Sequence, residues 1–197
     1  MKLRYVIIGL GLLIVVVYGV FAILLVRLSP GRGAGQPGFT AKEAYPSALK
    51  AAQAWQADAQ LVSANASWRD LGPEELLDAE VAWAFTFFSP LARQIRILSV
   101  TPNAAEAVES IDVTPRTRVA DVELWQVDSP QVLSLFLDHG GRDFLSKNPD
   151  ATVSLRLGPG ESGEPLVWLA FGISSGNKST HTVQVDPTDG QVKSAAP

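Results

Sequence analysis

The 197-residue sequence contains no cysteine, so it can form no disulfide framework, no thiolate zinc site, no cysteine nucleophile and no acylated lipobox. Histidine is nearly as scarce: His139 and His181 are the whole supply. No glycine loop ends in Gly-Lys-Ser/Thr, so one common route to phosphate chemistry is closed. Basic residues are thin in the body of the chain. Four of the sixteen precede Gly33, where no acid occurs, leaving twelve against all twenty acids. A body of that sign suits neither nucleic acid nor anionic lipid headgroups, which need clustered Lys and Arg.

What the sequence has in abundance is one apolar run. Tyr5 to Val26 holds 22 residues without a charge, 19 of them hydrophobic and three glycine. As a helix it would be roughly 33 Å long, enough to cross a hydrocarbon core of about 30 Å. A water-soluble helix would interrupt such a run with a polar face. Lys2, Arg4 and the amino terminus precede the run, and Arg27 and Arg32 follow it, a balance that leans towards a cytoplasmic N-terminus. The run is too long for the apolar core of a cleaved signal, and Ala34 is the first small non-glycine residue after Pro30. The expected topology is a cytoplasmic tail at residues 1–4, an uncleaved single-pass transmembrane signal anchor at 5–26, a Gly/Pro linker at 27–39 and an extracytoplasmic body. Cell-membrane localisation follows.

The body alternates helical and strand patterns. Thr40-Ala-Lys-Glu43 has the form of a capping box, opening a helix to about Ala57 in which Tyr45, Leu49, Ala52 and Trp55 share a face and Pro46 marks an uncertain start. Strand patterns follow at 61–68, 81–88 and 94–100, with an acidic turn at 72–78. A helical turn is expected at 104–110 and another strand at 118–127. Asp128-Ser129-Pro130 is a helix start, carrying apolar residues through to Leu145 across Gly140-Gly141. Strands are expected again at 152–157, 166–173 and 180–186, with Gly158 to Pro165 as a hairpin loop.

The order of elements occurs twice. An ungapped offset of 85 relates Trp83 to Trp168, Ser89 to Ser174, Val100 to Val185 and Pro102 to Pro187, while Asp58-Ala59 corresponds to Asp150-Ala151. The pattern predicts an α+β fold with two tandem units, 40–112 and 113–197, each a helix on an antiparallel sheet. Trp83, Trp168, Val100 and Val185 are the equivalent core candidates. The closing stretch Val183-Gln-Val-Asp186-Pro-Thr-Asp189-Gly190-Gln-Val192 resembles the ending of the PepSY family. The resemblance covers roughly residues 129–193, and the first unit, which lacks the Asp and Gly, resembles a degenerate copy. It implies cystatin-like units, a surface or membrane setting, and a binding or regulatory role towards proteases, with no catalytic residue to carry over.

Chemistry is sparse. His139 sits where a cation suits a helix C-terminus. A triad of His181 with a nearby serine and Asp186 or Asp189 would need that serine raised on a strained turn beside an oxyanion hole. Asp186 to Gly190 could gather oxygens around calcium, but it lacks the remaining ligands of such a loop and reads as a β-turn. Glu74, Glu75, Asp78 and Glu80 read as a solvated acidic face. Asn65-Ala-Ser67 and Asn177-Lys-Ser179 fit the glycosylation pattern. The sequence therefore predicts no catalytic residue, metal or cofactor, and points to a membrane-anchored binding module for a protein partner, with exposed sheet edges as contact sites. The alternative is an accessory subunit whose span packs in a membrane complex through Gly9, Gly11 and Gly19.

Overall fold

A capping box sets the first helix. In α1 (Ala41–Trp55) the Glu43 N–H donates to Thr40 Oγ1 at 3.2 Å and the Thr40 N–H to Glu43 Oε2 at 2.9 Å. Ala41, Ala44, Ala48 and Ala52 form its buried stripe, and such small side chains let a helix lie close on a sheet. Pro46 lies inside the helix and removes one N–H, whose acceptor would have been the carbonyl of the exposed Lys42. The computed structural model describes residues 39–112, 117–161 and 163–196. The expected span and tail, and the linker up to Gly38, lie outside the described residues. Among those described, no helix is long and apolar enough to cross a membrane.

The remaining elements are β1 (Gln60–Arg69), α2 (Pro73–Asp78), β2 (Trp83–Ser89), β3 (Gln94–Thr101), β4 (Ala104–Asp112), α3 (Ser129–Phe136), α4 (Arg142–Lys147), β5 (Ala151–Gly158), β6 (Val167–Ser174), β7 (Thr180–Val185) and β8 (Val192–Ala196). The strands form one antiparallel sheet in the order β4-β3-β2-β1-β5-β6-β7-β8. At its centre Ala64 to Arg69 pair with Leu157 to Thr152. A half-turn about an axis normal to the sheet at this seam maps the order of β1–β4 onto that of β5–β8 and keeps every helix on one face. Tyr45 of α1 meets Phe85 of β2, and Gly172 of β6 lies beneath Phe136 and Phe144 of α3 and α4.

This corrects the expectation of two tandem units. The sheet is continuous, and one hydrophobic cluster runs through both halves. Separate units would each leave a bare inner edge strand, β1 in one and β5 in the other. Pairing them removes both edges and brings Trp83 and Trp168 into contact, with ring centroids 6.3 Å apart at 72°.

Local expectations change too. Residues 104–110 are not a helical turn but part of β4, paired along its length with β3. Their Ala/Glu content suits a helix, but they have no apolar face to bury as one, and the hairpin supplies their hydrogen bonds. Residues 118–127 form no strand. Their N–H groups go to scattered acceptors: Ala120 to Leu61 O, Asp121 to Pro165 O, and Gln126 and Val127 to Pro187 O, around a tight turn at Val122–Leu124. The acidic turn at 72–78 contains α2, whose Leu76 is buried. β8, at the far edge, had no local signal.

Candidate functional site

Trp83 lies opposite Val100 across β2–β3, and Trp168 opposite Val185 across β6–β7; all four are fully buried. The indoles do equivalent work. Trp83 Nε1–H donates to the Phe39 carbonyl at 2.8 Å, one residue before the Thr40 cap of α1. Trp168 Nε1–H donates to the Val127 carbonyl at 2.9 Å, one residue before the Asp128 cap of α3, and Trp125 Nε1–H reaches the same oxygen at 3.0 Å. Each tryptophan thus ties the start of a helix to the sheet beneath it.

The two helix starts also meet each other. The Ala41 N–H donates to Ser129 Oγ at 3.1 Å and the Lys42 N–H to Asp128 Oδ1 at 3.1 Å, an oxygen that also accepts from the Ser129 N–H. The Lys42 ammonium donates to the Gln126 carbonyl. Asp128 therefore answers the positive ends of two helices at once.

The histidines belong to a kink. Between α3 and α4 the turn Leu137–Gly141 leaves helical geometry at His139 (φ −103°, ψ 37°) and Gly140 (φ 106°). His181, on β7, lies between the rings of Phe136 and Phe144, with Nε2 2.9 Å from the His139 carbonyl. A Cβ at Gly140 would stand 2.9 Å from its Cε1, which explains the glycine. Five strand residues, about 16 Å, separate His181 from Asp186, too far for a triad. Asp186 is instead engaged by Lys193 at 2.9 Å and by the Thr188 N–H at 2.8 Å, and Gly190 takes a positive φ of 80°. The ammonium of Lys193 stands on the carboxylate that a calcium ion would have needed, and the segment is a turn. Among the described residues no group of His, Asp and Glu is arranged to hold a metal.

Two aspartates clamp matching hairpin ends. Asp58 accepts from the Leu91 N–H and the Ser89 hydroxyl, both at 2.8 Å, and Asp150 from the hydroxyls of Ser175 and Ser174 and the Gly176 N–H. The Leu91 N–H most of all holds Asp58 below the ordinary carboxylate range, and the Ser175 hydroxyl does the same for Asp150. The Lys193 ammonium holds Asp186 low. Burial pushes the Tyr45 phenol up. Each of these groups has a structural duty.

A groove of about 600 Å³ runs between α1 and the β3–β4 turn, with Phe39, Lys50, Ala51, Ala54 and Pro102 in its lining. Its charged side chains, Glu43 and Lys50, are exposed, so it offers no desolvated polar group of the kind a reaction needs. Of the glycosylation patterns, Asn65 lies mid-sheet with its amide on Ser63 Oγ, whereas Asn177 lies in an exposed turn.

The face of the sheet opposite the helices is different. Strand register places Thr86, Phe88, Ile95 and Ile97 on it from β2 and β3, and Val167, Leu169, Phe171 and Ile173 from β6. A polar stripe separates these two patches along the seam: Asn65, Ser67, Ser154 and Arg156, with the Ser67 and Ser154 hydroxyls 2.8 Å apart. No described helix lies on this face. Sequence reading passed over it, although the alternation Thr152-Val-Ser-Leu-Arg156-Leu already separates its polar positions from the core.

No protein-family model matches the chain, and no curated protein matches it in sequence. Among solved structures the chain is similar to the crystal structure of a "putative lipoprotein" from Clostridium difficile 630, at 14% identity and a TM-score of 0.46, covering 84% of this chain and 95% of that one.

Proposed function

We propose that the chain is a membrane-associated, extracytoplasmic binding module that acts by contacting another protein through the helix-free face of its sheet. The membrane setting rests on the uncharged run at residues 5–26, which makes it single-pass with the body outside. The observation that carries the binding role is the make-up of the open face. Antiparallel sheets that face water alternate apolar-in with polar-out. Here the outward positions of β2, β3 and β6 include Phe88, Ile95, Ile97, Leu169, Phe171 and Ile173. Eight strands at about 4.8 Å spacing and roughly 20 Å length give a face of about 800 Å², the size of one partner's share in a standard interface. A surface protease or another envelope protein is the partner class the reading favours.

The test is site-specific photocrosslinking in intact membranes from Phe171 and Ile97, with Gln131 on the helix side as the control position. A discrete adduct from the two open-face positions and none from Gln131 is expected. Adducts from Gln131 alone, or none anywhere, refute the reading. Replacing the run at 5–26 with an unrelated apolar segment should leave the adduct intact; its loss would favour an accessory subunit assembled through the span.

A further inference from the structure

Over the inner strands of the open face the charge is opposite to that of the body. Among the described residues, the six inner strands β3-β2-β1-β5-β6-β7 place two charged side chains on this face, Arg69 and Arg156, and no carboxylate. Glu106 and Glu109 share this side from the edge strand β4, where a bulge after Leu98 turns both to the same face. Everything after residue 32 carries twelve basic and twenty acidic residues, so a positive centre to this face is not background.

Arg156 is its centre. It sits at the seam, opposite Asn65 on β1 and Leu169 on β6, and is half-buried. It makes no hydrogen bond or ion pair with any described residue, whereas the other polar groups around it satisfy one another: Asn65 with Ser63, and Ser67 with Ser154. A guanidinium offers five N–H donors in a planar fork that matches a carboxylate. Holding it unpaired and partly desolvated has a cost that a docking carboxylate would remove. Leu169 lies one strand away, and on the other side, beyond Asn65, β2 brings Ala84 level with Arg156 and Phe88 four residues further along, so apolar surface lies on both sides of the charge.

We infer that this face docks a protein segment presenting an Asp or Glu carboxylate between apolar side chains, the carboxylate pairing with Arg156 and the apolar groups seating on β6 and β2. This rests on the reading that the open face is the binding surface. The test is selection of random dodecapeptides displayed on phage against the full chain in lipid nanodiscs. Enriched peptides should carry an acid with apolar neighbours. Their binding should fall about tenfold or more with Arg156→Gln, recover in part with Arg156→Lys, and stay unchanged with Lys50→Gln. Thermal unfolding of Arg156→Gln should occur no lower than in the parent, because the side chain has no internal partner to lose and its unpaired charge is costly to hold. Peptides without an acid that are lost on Phe171→Ser and Ile97→Ser would keep the binding face but overturn the inference. Peptides insensitive to all these changes, or no enrichment, would overturn both. Self-association of the full chain in sedimentation, abolished by Phe171→Ser, would make a second copy the occupant and also overturn it.

Discussion

If the two halves share one core, Trp83 and Trp168 must be energetically coupled, and a double-mutant cycle measures that coupling. Both rings are fully buried and meet edge to face at 6.3 Å. Replacing either with Leu removes ring volume and an indole hydrogen bond. Large-to-small core changes and lost buried hydrogen bonds together suggest about 3 kcal/mol for each single variant. An edge-to-face aromatic pair contributes about 0.5–1.5 kcal/mol beyond burial, so the double variant should cost about 1 kcal/mol less than the sum of the singles. The carbonyl of Val127 keeps the Trp125 donor when Trp168 is changed, which limits the damage at that end. Urea unfolding followed by far-UV circular dichroism supplies the four free energies. It should show one transition for each variant. Additivity within about 0.3 kcal/mol, or two separate transitions, would refute a shared core.

Gly140→Ala forces a non-glycine residue to φ 106° and sets its Cβ against His181; a loss of about 1–2 kcal/mol is expected, read as a fall in Tm, with part restored by adding His181→Ala. Acid should destabilise the body through Asp58, Asp150 and Asp186. Their folded pKa values are depressed, so their contribution is full above the ordinary carboxylate range of about 4 and is lost as pH falls through and below it. In an acid titration, Asp150→Asn should flatten part of that slope. Arg96→Ala removes a guanidinium 4.7 Å above the Trp55 ring and should cost about 0.5–1 kcal/mol, with a change in tryptophan emission.

Where a segment announces its own hydrogen bonds, the sequence is a good guide. The Thr40–Glu43 box and the Asp128-Ser-Pro start both specify their helices, because caps are satisfied within a few residues. β4 is hard to see in the sequence for the complementary reason: an edge strand with one neighbour and no buried face has no apolar alternation. Residues 118–127 carry apolar side chains in a strand-like pattern, but their backbone partners are Leu61, Pro165 and Pro187, distant in the chain and invisible locally. The seam is the largest such case. Ala64 and Leu157 are 93 positions apart, and nothing in either stretch states that they pair. Arg156 is visible in the sequence as one polar position among several; its isolation appears once the register shows that the six inner strands place no carboxylate on its face.

The seam also dictates an order of events. β1 is the first of the described strands to be made, yet it ends in the middle of the sheet, and its second neighbour is not synthesised until about ninety residues later. During synthesis the leading half would wait with a naked strand and an uncovered tryptophan, an invitation to mispairing with any other emerging chain. A fragment stopping at Asp112 should therefore be insoluble or chaperone-bound, and natural truncations of this protein would be cleared rather than tolerated.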